Sequence, residues 1–118
     1  MSNTEIKPFT VTTTISSERI TDLLCGALEG GSNYWAHFQC SSPEGFYYID
    51  NPEWELTVID VEENGRKHTI NRDSLIKGLS KLQEIVPHQF NNFMNEDDDA
   101  ETSDCYLQCC VFEDVIYG

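Results

Sequence analysis

Hydrophobic and polar residues alternate in two parts of the chain, which predicts β-strands there. Residues 9–15 read F-T-V-T-T-T-I, a β-branched run that follows Pro8 directly. Residues 54–61 alternate in the same way, and Asn64-Gly65, the strongest short hairpin signal, follows them. The sequence therefore predicts a small antiparallel sheet built from strand 9–15 and a hairpin over residues 54–70.

Apolar residues recur at helical spacing elsewhere, which predicts three to four helices packed on this sheet. The predicted helices cover residues 19–28, 72–86, 88–95 and 100–112. Residues suited to helix capping precede three of them, namely Ser16 or Ser17, Asn71, and Asp98 or Asp99. Asp98 with Glu101 fits a capping box, and residues 32–38 are predicted to be helical at first. The order of these elements predicts an α+β fold in a single domain over residues 1–118.

The chain is strongly acidic, with 21 Asp and Glu against 7 Lys and Arg and a formal net charge of −14. Nucleic acids and anionic lipids are bound through many Lys and Arg contacts, which this chain cannot supply. We therefore do not expect it to bind either of them directly. Acidity of this degree favours partners with basic surfaces. The alternative interpretation is that the charge serves solubility only.

The acidic residues are concentrated in residues 82–118, which hold nine Asp and Glu and no Lys or Arg. This segment also contains aromatic and apolar residues, so it is predicted to be part of the fold and not a solvated tail. We therefore predict a rigid acidic surface that binds a partner. Its residues are Glu96, Asp97, Asp98, Asp99, Glu101 and Asp104, with Glu113 and Asp114 as a flank and Asp60, Glu62 and Glu63 of the hairpin as a second edge.

No motif for catalysis, nucleotide binding or a cofactor is present, so we expect a non-enzymatic protein without a cofactor. The acids at 97, 99 and 101 alternate as calcium ligands do. Thr102, however, occupies the glycine position of such a loop and Gln108 its closing acidic position, which leaves only a weak divalent site as an alternative. The five cysteines lack zinc-site spacing and are interpreted as buried thiols. Gly30-Gly31 is interpreted as a place of close packing, with Tyr34 and Trp35 as core anchors beside it.

No N-terminal leader pattern and no apolar run of about 20 residues is present, which predicts a reducing cytoplasm and no membrane span. Three pieces of the chain resemble a family of small bacteriophage and prophage proteins of mostly uncharacterised function. They are E-G-G-S-N-Y-W at 29–35, N-E-D-D-D-A-E-T-S-D at 95–104 and Y-L-Q-C-C-V-F-E-D-V-I-Y-G at 106–118. The resemblance covers most of the chain and implies a location in the host bacterial cytoplasm.

Small acidic phage proteins resemble, as a class, inhibitors of host defence of the anti-CRISPR and anti-restriction type, some of which mimic DNA. The resemblance and the charge together predict an inhibitor, monomer or homodimer, that occupies a basic nucleic-acid-binding groove of a host protein. The alternative is a phage accessory protein that binds a partner through an aromatic surface, with its acidity serving solubility. That aromatic surface would consist of Phe46, Tyr47, Tyr48 and Trp54.

Overall fold

A three-stranded antiparallel sheet and four α-helices make up the part of the chain described by the computed structural model, residues 8, 9, 11–42 and 44–118. This is the predicted α+β fold. The helices are α1 (Ser17–Gly26), α2 (Arg72–Ile85), α3 (Pro87–Met94) and α4 (Ala100–Phe112). The strands are β1 (Ala36–Cys40), β2 (Glu55–Asp60) and β3 (Arg66–Asn71). A π-helical turn, Ala27–Gly31, continues α1.

The predicted hairpin is confirmed as β2 and β3, which form an antiparallel pair with Val58 opposite His68. Asn64 and Gly65 both adopt positive φ angles, 57° and 79°, as a tight turn between twisted strands requires. Side chains alternate along β2, so that Leu56 and Val58 are buried and the other face of the sheet is more exposed. The sheet therefore contributes one face to the core.

The prediction of the third strand is wrong in position. The described residues of the segment 9–15 form no strand, and Phe9 and Val11 are 96% and 87% exposed. The third strand is β1, which pairs with β2 and begins where the sequence predicted a helix. Trp35, directly before β1, is fully buried and holds the start of this strand in the core. Its carbonyl also accepts a hydrogen bond of 2.9 Å from Val61 N, directly after β2, so the two strands are already paired at this point. Strand formation depends on a partner edge as much as on local β-propensity.

The helices lie close to where the sequence predicted them, and polar caps explain where they begin. Ser16 Oγ accepts from the backbone N–H of Arg19 at 3.2 Å, which starts α1. Asn71 accepts from Ser74 N at 3.1 Å, and Ser74 Oγ accepts from Asn71 N at 3.0 Å, so a capping box starts α2. Pro87 stands at the first turn of α3, where its missing N–H has no cost.

Helix α4 is the centre of the molecule. Residues 102–110 are all buried, and the helix packs against α1, α2, α3 and β3. The sequence predicted only a partial apolar stripe here, because a helix surrounded on all sides shows no single apolar face. The predicted close packing is confirmed at Gly31, where an added Cβ would lie 2.6 Å from Ala100 O. Trp35 is the predicted core anchor, whereas Tyr34 is half exposed.

Candidate interaction surface

The loop between α3 and α4 displays the exposed acids of the predicted surface. Glu96, Asp97 and Asp99 of this loop are exposed to solvent, as is Glu101 in the first turn of α4. The backbone beneath them is hydrogen-bonded, since Glu96 N donates to Phe93 O at 3.1 Å and Asp97 N donates to Asn92 O at 2.7 Å. The acids of this loop are therefore held in place by the end of α3.

Arg19 of α1 ties this loop to the rest of the fold. Its guanidinium lies 3.3 Å from Asp98 Oδ1, donates to the carbonyl oxygen of Phe93 and stacks 4.5 Å from the centre of the Phe93 ring. Asp98 is consequently partly covered and its charge is partly neutralised. Sequence spacing carries no signal for this contact, because Arg19 and Asp98 are 79 positions apart.

Asp99 caps α4. Its side chain accepts from Thr102 N at 3.0 Å, while Thr102 Oγ1 accepts from Asp99 N at 3.2 Å. The capping box is thus Asp99 with Thr102, which corrects the predicted pairing of Asp98 with Glu101. The hydrogen bond from the backbone N–H of Thr102 holds the pKa of the Asp99 carboxyl below its usual value of 3.8.

Replacing Asp99 by alanine should lower the free energy of unfolding at pH 7 by about 1 kcal/mol, the usual effect of losing an N-cap. Because the pKa of Asp99 is lowered by folding, its contribution is fully present above its unfolded value of 3.8. That contribution is lost as the pH falls below 3.8 through the folded-state pKa. Urea unfolding at several pH values measures both effects. Asp97→Ala in the same loop is the control and should change stability by less than about 0.5 kcal/mol.

Asp104 does not lie on the acidic surface, contrary to the prediction. It is 7% exposed, and its carboxylate accepts four hydrogen bonds. Ser32 Oγ and Trp35 Nε1 donate to Oδ1 at 2.7 and 2.8 Å, and Tyr34 OH and Gln108 Nε2 donate to Oδ2 at 2.6 and 3.1 Å. Because α4 is central, this carboxylate points into the fold and organises it.

Asp104 is also where the three sequence pieces behind the family resemblance meet. Ser32, Tyr34 and Trp35 belong to the first piece, Asp104 to the second and Gln108 to the third. The amide oxygen of Gln108 in turn accepts from Ile116 N and Tyr117 N at 2.8 and 2.9 Å. The C-terminal residues therefore fold back along α4. Sequence spacing alone could not reveal this network, since residues that it joins by a single hydrogen bond are up to 74 positions apart.

Asp60 is likewise buried, so its predicted place on the second acidic edge is wrong. It accepts from Glu62 N at 3.0 Å and from Glu63 N at 3.2 Å, which caps the short 3₁₀ turn after β2. It also accepts from Tyr117 OH at 2.7 Å, and this hydrogen bond raises the pKa of Tyr117 to about 12. Of the three acids predicted for the second edge, Glu62 and Glu63 are the two that are exposed.

The remaining acids form separate groups and not one continuous row. Glu113 and Asp114 are exposed at the C-terminal end of α4, whereas the loop acids lie at its N-terminal end. At 1.5 Å per residue, the 13 residues of α4 separate these two groups by about 20 Å. The structure thus brings together the group at the start of α4, which we call the acidic loop (Glu96, Asp97, Asp98, Asp99 and Glu101).

The aromatic residues of the alternative surface are only partly available to a partner. Trp54 is fully buried and donates to Phe46 O at 2.8 Å. Tyr47 is half buried and donates to Glu29 at 2.7 Å. Tyr48 is 54% exposed and Phe46 is 36% exposed, so these are the two residues of that surface that are exposed to a partner.

Cys105, Cys109 and Cys110 are buried in α4, as predicted. Burial raises the pKa of the Cys105 thiol to about 11 and that of Cys109 to about 12, so both stay protonated at neutral pH. Cys25 and Cys40 are half-buried thiols, which departs from the prediction of burial. Within the described ranges, no three His, Cys, Asp or Glu side chains lie close enough together to hold a metal ion.

Among the helices that the structure describes, none has the length and apolar character needed to cross a membrane. The chain was also compared with known proteins, and no protein-family model, curated protein or solved structure matches it. Any functional interpretation therefore depends on the charge and geometry of the residues themselves.

Proposed function

We propose that the protein is a non-enzymatic, phage-encoded inhibitor of a host defence system, which places its acidic loop in a basic nucleic-acid-binding groove. The observation that carries the proposal is the run of acids from Glu96 to Asp99, followed by Glu101, on a loop fixed at both ends by α3 and α4. Residues 82–118 contain no Lys or Arg, and the one ion pair that the described residues make to this group joins Arg19 to Asp98.

The spacing of the acids suits a groove built for DNA. Duplex DNA presents one negative charge per about 1.7 Å of its axis. The left-handed Glu96 turns the chain, so successive residues of the loop advance by less than the roughly 3.5 Å of a fully extended chain, and the exposed first turn of α4 adds a further acid at Glu101. CRISPR effectors hold their nucleic acids in positively charged channels, which is the type of surface such an array complements.

The acids of the loop differ in what they offer a partner. Glu96, Asp97 and Glu101 are exposed and make no side-chain hydrogen bond among the described residues. Asp98 is engaged by Arg19, and Asp99 is engaged by the start of α4. The first three residues are therefore the proposed contacts, and the last two hold the loop in shape.

Reversing the charge of two of the exposed acids, Asp97→Lys with Glu101→Lys, should abolish inhibition. Like charges brought together in an interface cost several kcal/mol, so the affinity for the target should fall at least about 100-fold. The measurement is the plating efficiency of a phage restricted by a CRISPR or restriction system, in host cells that produce the protein.

Glu53→Lys with Glu55→Lys is the matched control, since it changes the net charge equally at exposed positions near the start of β2. This variant should still protect the phage. Equal protection by both double variants would show that the acidic loop is not the contact surface. Binding of the captured target should also weaken as salt rises, because exposed charges are screened within about 8 Å at physiological ionic strength.

A further inference from the structure

A small cleft lies where the π-helical turn after α1 meets β1 and the loop before β2. It has a volume of about 250 Å³. The residues that line it are Leu28, Glu29, Phe38, Phe46 and Tyr47. The cleft therefore combines three aromatic rings with one acidic group.

Glu29 contributes a carboxylate that is held in one orientation. Cys25 Sγ donates to Glu29 Oε2 at 2.6 Å, and Tyr47 OH donates to the same oxygen at 2.7 Å. These hydrogen bonds, the one from Cys25 first, hold the pKa of the Glu29 carboxyl below its usual value of 4.5. Glu29 is consequently ionised at neutral pH.

This negative charge has no cationic partner in the described part of the chain. The three ion pairs formed there use the bases Arg19, Arg72 and Lys81. None of them includes Glu29. Its second carboxylate oxygen, Oε1, accepts no hydrogen bond from the described residues, since both donors are at Oε2. One acceptor oxygen of an ionised carboxylate is thus left for a ligand.

Aromatic rings beside a carboxylate favour an organic cation as that ligand. The face of an aromatic ring attracts an ammonium or guanidinium group that lies within about 6 Å of the ring centre. The rings of Phe46 and Tyr47 have centroids 6.3 Å apart and are tilted by 47° to each other. One cationic group between them can therefore lie within that distance of both rings.

The volume of the cleft and its single free oxygen narrow the choice of cation. Small-molecule sites have volumes of about 300–1,000 Å³, so this cleft holds one side chain better than a whole metabolite. A guanidinium group binds a carboxylate most strongly through two parallel hydrogen bonds, but Oε2 of Glu29 already accepts from Cys25 and Tyr47. An ammonium group needs only one oxygen, and its methylene stem packs against apolar side chains such as Leu28. These features favour lysine over arginine.

We propose that this cleft binds the side chain of a lysine on a protein partner, with the ammonium group at Glu29 Oε1 and the methylene stem against the aromatic rings. The formal net charge of −14 attracts partners with basic surfaces, which present such lysines. Glu29 and Phe46 are exposed, so a side chain from another protein can reach the cleft. The cleft shares no residue with the acidic loop, and its binding of lysine does not depend on the proposed function.

Titration of the full chain with n-butylammonium chloride, followed by nuclear magnetic resonance, tests the binding of the lysine head group alone. The signals of Glu29, Phe46 and Tyr47 should shift with a dissociation constant on the order of 10 mM, as a few weak cation contacts allow. The uncharged 1-butanol is the matched control ligand, and it should bind at least about 10-fold more weakly. Equal binding of the two ligands would show that the cleft does not select a cation, which overturns the proposal.

Two substitutions separate the effect of the carboxylate from that of the rings. Glu29→Gln keeps the shape of the side chain but removes its charge, so the dissociation constant of n-butylammonium should rise at least about 10-fold. Phe46→Leu keeps an apolar side chain but removes the ring, and should raise the constant about 3- to 10-fold. Glu18→Gln, at an exposed position in the first turn of α1, removes the same charge and should bind like the unmodified protein. If Glu29→Gln binds like Glu18→Gln, the net charge and not the cleft attracts the cation, and the proposal is wrong.

A lysine peptide distinguishes the side chain of a protein from a free amine. The capped peptide acetyl-Gly-Gly-Lys-Gly-Gly-amide should bind at least as tightly as n-butylammonium, and the same peptide with its lysine acetylated should not bind. Binding of the amine without binding of the peptide would show that a polypeptide cannot reach the cleft, which also overturns the proposal. The Asp97→Lys, Glu101→Lys variant should bind the peptide within about 3-fold of the unmodified protein, since the acidic loop is a separate surface. A loss of peptide binding in that variant, with binding retained in Glu29→Gln, would place the lysine at the acidic loop and refute the assignment to the cleft.

Discussion

Replacing Asp104 by alanine should lower the free energy of unfolding by about 3–5 kcal/mol, since each buried donor left without an acceptor costs about 1–3 kcal/mol. Two of its four donors, Ser32 and Trp35, belong to residues that are fully buried, and water cannot easily replace the carboxylate there. Domains of this size are stable by only about 5–15 kcal/mol. The variant is therefore expected to be close to unfolding at room temperature.

Urea denaturation followed by circular dichroism measures the effect, with two further variants for comparison. Asp104→Asn keeps the shape of the side chain but turns an NH₂ group toward donors. Its free energy of unfolding should therefore lie between that of the alanine variant and that of the unmodified protein. Glu101→Ala, an exposed acid one turn earlier, should change stability by less than about 0.5 kcal/mol. An alanine variant at 104 that is as stable as the one at 101 would show that the network does not organise the fold.

Much of the fold could be predicted because the relevant signals are local. Ser16, Asn71 and Asp99 act as caps within three residues of the N–H groups that they accept from. Asn64-Gly65 likewise determines the hairpin through the φ angles of two adjacent residues. Local chemistry of this kind is readable from the order of residues alone.

The third strand could not be placed because its position depends on contacts between distant residues. The segment 9–15 has the stronger β-propensity, yet Ala36–Cys40 pairs with β2 because Trp35 is anchored in the core. Local β-propensity therefore does not place a strand where no partner edge is available to it.

Only part of the candidate surface could be predicted, because the sequence shows which residues are charged but not whether their side chains point outward or into the fold. Asp104 lies five residues after Asp99, but the turn of α4 points it into the molecule, toward Trp35. Asp60 is similarly turned inward, where Tyr117 donates to it. What the sequence does show is the accumulation of acids around the start of α4, and the acidic loop is the part that stays exposed.

Gly78 explains how α4 can be enclosed so tightly. It lies in the middle of α2, where glycine is less favourable than alanine by about 0.5–1 kcal/mol. A Cβ at this position would lie 3.0 Å from both the backbone N and the Cα of Cys110 in α4. The two helices can approach this closely only because position 78 has no side chain.

Substituting leucine for Gly78 should therefore destabilise the protein by about 3 kcal/mol or more, the upper range for overpacked cores. The improved helix propensity of leucine offsets less than about 1 kcal/mol of this, so the steric effect determines the sign. Ser80→Leu, at an exposed position of the same helix, is the control and should be neutral or slightly stabilising. The midpoints of thermal unfolding compare the two variants. If Gly78→Leu unfolds at the same temperature as Ser80→Leu, then α2 can move away from α4 without loss, and the close approach at Cys110 is not needed for the stability of the central helix.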